Sequence, residues 1–230
     1  MVDTTPPTWN VTPTNQVWEY GDPFSYQVNA SDYFTITFSL NDTSNFSIGS
    51  STGLIVGLYP NDTSRTPLAV YSINITATDA SGNNLSAAIT ITNQDTTHPT
   101  WDQTPPNITH EYYTPLLYKV NATDLLLSVY SINDTTNFKI NAATGLIENN
   151  TLLPVGNLSF IVFVNDTTGN TLNATVFIET LDTTPPTWNQ TPQGFGFIYG
   201  RNVTYQVNAS DPSGLDVYSL SDSSNFTINS

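Results

Sequence analysis

The chain has 230 residues, with 19 Asp and Glu against four Lys and Arg, a net charge of −15 and no Cys. Nucleic-acid binding needs clustered basic side chains, but Arg65, Lys119, Lys139 and Arg201 are scattered, which excludes that class. Without Cys the chain has no disulfides, thiolate zinc sites or cysteine nucleophiles, and no apolar run reaches the roughly 18 residues of a membrane span.

The polar residues are mostly uncharged. Thr, Ser and Asn number 37, 21 and 26, whereas charged residues make up only 10% of the chain and aromatic residues 12%. A disordered chain would be poorer in aromatic and β-branched residues, and the abundance of Thr, Tyr, Val, Ile and Phe favours strands over helices. The composition therefore predicts an all-β protein.

A repeated heptapeptide divides the chain. Asp-Thr-Thr-Pro-Pro-Thr-Trp at residues 3–9 returns at 182–188, and returns at 95–101 with His in place of the first Pro. These spacings suit a β-sandwich domain of about 100 residues, and the Pro residues predict stiff joints because they cannot continue a strand ladder. The predicted units are 1–94, 95–181 and 182–230.

Each unit contains the same candidate strands in the same order. Tyr-x-Val-x-Ala-x-Asp occurs at 26–32, 118–124 and 205–211, and its alternation predicts a half-buried strand. Further candidate strands lie at 38–40, 45–48, 54–55, 71–78 and 85–92 in unit one and at 130–132, 137–140, 146–147, 158–164 and 172–180 in unit two. About seven strands per unit, separated by turns, predict tandem immunoglobulin-like Greek-key β-sandwiches.

Unit three is incomplete, because Ser230 aligns with Ser50 of unit one. We expect it to hold the first four strands and to lack the last three, which would leave strand edges unpaired. Three interpretations stay open. The chain is a segment of a longer array, another chain completes the half-unit by strand complementation, or the tail is disordered or differently folded.

The order of these motifs resembles that of cadherin-type repeats in prokaryotic cell-surface proteins. The resemblance rests on Tyr-x-Val-x-Ala-x-Asp, on Phe-x-Ile followed by Thr-Gly-Leu-Ile, and on Ile-Asn-Ile-Thr-Ala-Thr-Asp-x-x-Gly-Asn at 73–83. The Asp-Thr-Thr-Pro-Pro-Thr linker resembles that of bacterial and archaeal Ig-like arrays. These resemblances imply seven-stranded sandwiches joined end to end in a non-catalytic, extracellular structural or adhesive protein.

The resemblance to cadherins also implies calcium at the joints. The positions that match ligands of the family are Glu19, Asp95, Asp124 and Asp166 at the first joint, and Glu111, Asp182 and Asp211 at the second. The linker lacks the family's Asp-x-Asn-Asp-Asn motif, and the four carboxylates of the first joint and the three of the second are few for the 6–8 oxygen ligands that Ca²⁺ takes. The alternative is that these Asp residues cap turns and that Pro stiffens the joint without metal.

Asn-x-Ser/Thr acceptor sequences for N-glycans occur at 18 of the 26 Asn residues. Chance alone predicts about a quarter of them, so the excess indicates covalent N-glycans on a secreted protein, which would add solubility to a chain of few charges. The candidates are Asn10, Asn29, Asn41, Asn45, Asn61, Asn74, Asn84, Asn107, Asn121, Asn133, Asn149, Asn157, Asn165, Asn173, Asn189, Asn202, Asn208 and Asn225.

No catalytic constellation is evident. His98 lies in a linker and His110 stands alone before Glu111, and two His residues cannot build a three-His metal site. Trp9, Trp101 and Trp188 follow the Pro linkers, where we expect them to pack at the joints, although carbohydrate binding is the alternative role. From the sequence we expect no enzymatic activity and no required cofactor. The expected partners are other copies of this chain or neighbouring repeats, in a stalk, S-layer component or filament.

Overall fold

The computed structural model describes residues 3–58 and 68–229, which contain strands and no helix. The glycan candidate Asn61 lies outside the described residues. No helix that could cross a membrane occurs in these two ranges.

The first repeat is a two-sheet sandwich of seven strands with a short additional ladder. Its sheets have the strand orders β2-β9-β8-β5 and β3-β7-β6, and a two-residue ladder joins β1 to β4. β2 pairs with β9 in parallel, and every other pair is antiparallel. The strands are β1 (Thr8–Trp9), β2 (Gln16–Glu19), β3 (Ser25–Gln27), β4 (Ala30–Ser31), β5 (Ile36–Leu40), β6 (Phe46–Ile48), β7 (Leu54–Gly57), β8 (Val70–Asp79) and β9 (Asn84–Gln94).

The second repeat has the same topology. Its sheets have the strand orders β11-β18-β17-β14 and β12-β16-β15, with β10 paired to β13 and with β11 parallel to β18. This repetition confirms the predicted tandem sandwiches of about seven strands. The strands are β10 (Thr100–Trp101), β11 (Ile108–Glu111), β12 (Leu117–Lys119), β13 (Ala122–Thr123), β14 (Leu127–Ile132), β15 (Phe138–Ile140), β16 (Leu146–Asn149), β17 (Gly156–Asp166) and β18 (Thr171–Leu181).

Alternation along the strands builds a separate core in each repeat. In β8, Ile73, Ile75 and Ala77 are buried between polar neighbours. Ile73 and Ile75 pack with Phe46 and Ile55 of the facing sheet. Burying one such large side chain stabilises the fold by about 1.5–3 kcal/mol. The second core contains Leu116, Val120, Ala122, Tyr130, Ile132, Phe138, Ile147, Leu153, Phe160, Val162, Val164, Val176 and Ile178.

Residues 182–229 form far less sheet than the sequence predicts. Their described strands are β19 (Thr187–Trp188) and β20 (Ala209–Ser210), which form one antiparallel ladder, instead of the four strands expected. In the first repeat, β3 pairs with β7 and β5 pairs with β8. The counterparts of β7 and β8 would follow Ser230, and the segments that align with β3 and β5 have no ladder partner among the described residues.

Backbone contacts divide the chain into two compact units. The first is Met1–His98 with Asp124–Leu126, and the second is Pro99–Thr123 with Leu127–Ser230. A separate third domain beginning at residue 182 remains a prediction.

Candidate functional site: acidic turns and linkers

Glu19 holds the first linker by hydrogen bonds. It ends β2, where it pairs in parallel register with Gln94 at the end of β9. Its Oε1 accepts bonds from the backbone nitrogen of Thr96 at 2.7 Å and the hydroxyl of Thr97 at 3.0 Å, and its Oε2 accepts the Thr96 hydroxyl at 3.0 Å. Its carboxylate therefore contacts the two threonines that follow Asp95.

Glu111 repeats this arrangement in the second unit. It ends β11 opposite Leu181 of β18. Its Oε1 accepts the backbone nitrogen of Thr183 and the hydroxyl of Thr184, both at 3.0 Å, and its Oε2 accepts the Thr183 hydroxyl at 2.9 Å.

These bonds favour the ionised form of both glutamates. Burial raises the pKa of Glu19, but the bonds from Thr96 and Thr97 outweigh this effect and hold the pKa below its usual range. For Glu111 the backbone bond from Thr183 is the largest cause of a pKa below the usual range, followed by the Thr183 hydroxyl.

Asp79 and Asp166 each cap the turn that follows them, which is the structural role that competes with metal binding. Asp79 Oδ1 accepts the backbone nitrogens of Ser81 and Asn83, and its Oδ2 accepts the Asn83 amide, each at 2.8 Å. Asp166 makes the matching bonds with residues 168–170. Burial raises the pKa of both aspartates, but the bonds from the turns lower it overall.

Three aspartates of the first repeat converge at one place. Asp3, Asp32 and Asp79 each offer a carboxylate oxygen, and these atoms lie within 4.8 Å of one another. Asp3 Oδ2 is buried and makes no hydrogen bond with the described residues. Hard oxygens at this spacing fit part of a Ca²⁺ coordination shell. Each of the three residues also caps a local turn, Asp3 through Thr5, Asp32 through Phe34 and Asp79 as described above.

The predicted ligands of the two joints have various local partners. Asp95, Asp124 and Asp166 hold positions in the second repeat that correspond to Asp3, Asp32 and Asp79 in the first. Asp95 Oδ1 accepts the backbone nitrogen of Thr97 at 3.1 Å, and Asp124 Oδ1 accepts that of Leu126 at 2.7 Å. Asp95 and Asp124 belong to the first compact unit, and Asp166 belongs to the second.

The predicted ligands near the half-repeat are likewise engaged in turns. Asp182 Oδ1 accepts the backbone nitrogen of Thr184 at 3.1 Å. Asp211 Oδ1 accepts the hydroxyl and the backbone nitrogen of Ser213, and these bonds are the main causes of its lowered pKa. Glu111 contacts Thr183 and Thr184 rather than either aspartate in its hydrogen bonds.

The linker tryptophans pack within their own repeats, which differs from the predicted packing at joints. Trp9 stacks on Phe38 with ring centroids 6.4 Å apart, because the β1–β4 ladder lays it over the sandwich. Trp101 packs against the core of the second repeat, and Trp188 stacks on Tyr218 at 6.3 Å. Rings that already face protein partners give no support to sugar stacking.

The glycan candidates divide by exposure. Asn45, Asn149 and Asn165 are half-buried. The Asn45 and Asn149 amides donate to Asp42 and to the Thr151 carbonyl at 2.8 Å, and Asn165 Oδ1 is buried. The exposed candidates are Asn10, Asn29, Asn41, Asn74, Asn84, Asn107, Asn121, Asn133, Asn157, Asn173, Asn189, Asn202, Asn208 and Asn225.

The chain is similar to known Ig-like and cadherin domains. Residues 6–94 match the family described as a putative Ig domain, and no curated protein matches the chain. Among solved structures it is similar to Drosophila N-cadherin EC1-4, at 20% identity and a TM-score of 0.40, with 77% of this chain and 50% of that chain covered. Mouse cadherin-23 EC22-24 is 21% identical with a TM-score of 0.37, and the match covers 77% of this chain and 65% of that chain. Human protocadherin-24 EC1-2 is 14% identical with a TM-score of 0.39, and the match covers 79% of this chain and 100% of that chain.

The chain thus spans less than two thirds of the first two of these structures. Many cell-surface domains share the immunoglobulin-like sandwich architecture. The first repeat matches the Ig family model directly, and the second repeats its strand order. The two complete repeats are therefore tandem immunoglobulin-like β-sandwiches.

Proposed function

We propose that the protein is a non-catalytic structural and adhesive repeat protein of the cell surface, serving as a stalk, an S-layer component or a surface filament. The observation that carries the proposal is the duplication of one seven-stranded sandwich with the same Asp-Thr-Thr linker leaving each copy. A repeated unit joined by a repeated linker suits a load-bearing array.

The positions of the potential catalytic groups favour this role over an enzymatic one. His98 is an exposed linker residue, and His110 is buried in β11 opposite Thr180. The carboxylates with lowered pKa described above are occupied by hydrogen bonds of turns and linkers. The lowered pKa values of these carboxylates therefore have structural causes.

The proposal is tested by deleting the gene in the producing cells and imaging the cell surface by electron microscopy. We expect loss of a surface layer, stalk or filament, or of cell adhesion, and recovery when the gene is restored. An antibody against the repeats should label intact cells. Exclusively intracellular labelling together with an unchanged surface would contradict the proposal.

A calcium-dependent adhesin is the second candidate, favoured by the convergence of Asp3, Asp32 and Asp79. These three residues would hold the cation, and bound Ca²⁺ would neutralise their mutual repulsion and stabilise the first repeat. Scanning calorimetry in Ca²⁺ and in chelator separates the candidates. If the site is used, chelation lowers the melting temperature of the wild type but not of D32N, whereas equal melting temperatures in both solutions remove this candidate.

Self-association through the half-repeat is a refinement of the structural role. Its large apolar side chains are unusually accessible, with Phe197 61%, Ile198 75% and Tyr199 100% exposed. Strand addition from another chain would cover such surface and pair open strand edges. Sedimentation of the full chain should reveal oligomers that dissociate in an F197S/I198S variant, and a monomer at all concentrations would contradict strand complementation.

Covalent N-glycans form part of the proposed surface. The exposed candidates can accept a bulky sugar without repacking, whereas modifying Asn165 would require displacing its buried oxygen. Glycopeptide mass spectrometry of protein from its native source should find sugar at Asn74, Asn157 or Asn173 and an unmodified Asn165. Full occupancy of Asn165, or bare peptides throughout, would refute this assignment.

A further inference from the structure

Both complete repeats end in the same carboxylate–threonine arrangement, here called the linker clamp. The first clamp consists of Glu19, Thr96 and Thr97, and the second of Glu111, Thr183 and Thr184. Each contains three hydrogen bonds, with lengths of 2.7–3.0 Å in the first and 2.9–3.0 Å in the second. The same geometry thus forms in two different sequence surroundings.

Each clamp extends a strand pairing into the linker. Beyond the parallel pair of Glu19 and Gln94, the Tyr20 nitrogen donates to the Gln94 carbonyl at 2.6 Å, and the carboxylate then reaches two residues further. In the second repeat the Tyr112 nitrogen donates to the Leu181 carbonyl at 2.7 Å. The chain is therefore attached to its own repeat until Thr97 or Thr184.

The clamp is separate from the turn made by Asp-Thr-Thr itself. The Thr5 nitrogen donates to Asp3 Oδ1 at 3.0 Å, which matches the bond from Thr97 to Asp95 at 3.1 Å. Among the described hydrogen bonds, the turn at Asp3 has no counterpart of Glu19. The glutamate therefore adds a second, longer-range attachment to a turn that the Asp-Thr-Thr sequence already forms.

The clamp also uses most of the capacity of the carboxylate. An ionised carboxylate offers about four lone-pair sites and no donor, and three of the accepted bonds come from the chain itself at each glutamate. Bonds to a charged acceptor are among the stronger ones in proteins. A metal ion at Glu19 or Glu111 would have to compete with these donors.

We propose that Glu19 and Glu111 are positioning residues that fix the exit of each linker by hydrogen bonds within the chain, independently of metal. This assignment differs from the calcium-ligand role that the family resemblance implies for both residues. It leaves the Asp3, Asp32 and Asp79 cluster untouched and does not depend on the proposed role at the cell surface.

Amide hydrogen exchange of the full chain at Thr96 and Thr183 tests the proposal, because both amide hydrogens point to a clamp oxygen. Exchange at both sites should be the same in Ca²⁺ and in chelator. E19A should accelerate exchange at Thr96 about fivefold or more and leave Thr183 unchanged, because losing a charge-assisted bond at an exposed site releases the amide. E111A should accelerate exchange at Thr183 and leave Thr96 unchanged. The control variant E179Q changes an exposed glutamate of β18 and should leave both rates unchanged.

Variants of the Thr97 hydroxyl test the same contact if the alanine variants do not fold. T97V should accelerate exchange at Thr96 by removing one donor from the clamp, and T97S should restore the wild-type rate. Exchange at Thr96 that rises on chelation, or that stays unchanged in both E19A and T97V, would overturn the proposal.

Discussion

At the scale of single residues, the acidic side chains of this chain mainly organise its backbone. Asp42, Asp134 and Asp222 each accept backbone nitrogens two and three residues later, and each receives the amide of the Asn at the third position. The same turn recurs in all three repeats, so these carboxylates have a role within the fold. The net charge of −15 is therefore no indication of a basic partner. The carboxylates mostly face the protein's own donors.

The linker clamps make stability depend on pH in the acidic range. The pKa of Glu111 is lowered in the folded state, so its contribution is fully present above the unfolded value of about 4.3 and is lost as the pH falls through the folded-state pKa. We expect E111Q to be less stable than wild type at pH 7, with a difference that shrinks as the pH falls below 4. Urea unfolding across this range measures it, with E179Q as control, and a pH-independent difference would argue against an ionised clamp.

One sequence signal points to the Glu–Thr contact. Glu19 and Glu111 recur at equivalent positions, as do the two threonines after each linker Asp. The family resemblance assigned both glutamates to calcium. The contact itself depends on the parallel pairing of β2 with β9, whose partners lie more than 70 residues apart, and local patterns do not contain that information.

At the scale of elements, alternation and turn residues predicted most of the sandwich. The segments 71–78 and 85–92 became β8 and β9, because their apolar residues alternate and their connecting turn is capped by Asp79. In residues 182–229 the same patterns failed to make strands, because a strand needs a ladder partner as well as a suitable sequence. Pairing is a property of two segments, and the half-repeat supplies only one of them.

The glycine of each Thr-Gly turn is required by both backbone angle and space. Gly145 has φ +70°, and a Cβ there would collide with the Val120 carbonyl oxygen. We expect G145A to lower the free energy of unfolding of the second repeat by about 1–3 kcal/mol.

Gly169 is a matched control for this substitution in the same repeat. It also has a positive φ, at +97°, but a Cβ there would have no neighbour within 4 Å. Chemical denaturation should therefore show a smaller loss for G169A than for G145A. Equal losses would mean that the collision with Val120 contributes nothing.

At the scale of the whole molecule, the two complete repeats and the half-repeat should differ sharply in local stability. β17 and β18 pair along ten residues each, whereas the half-repeat has the two residue pairs of β19 and β20. In the dissociated F197S/I198S variant, where no second chain adds strands, we expect amides in β17 to exchange at least about 100-fold more slowly than those at 212–229. Hydrogen exchange with mass spectrometry on that variant measures this, and comparable protection in both regions would contradict it.

Protease treatment of intact producing cells, followed by mass spectrometry of the released peptides, tests whether the repeats lie at the cell surface. We expect peptides of both repeats to be released from intact cells before any cytoplasmic marker appears. Peptides that appear only after lysis, together with that marker, would contradict it.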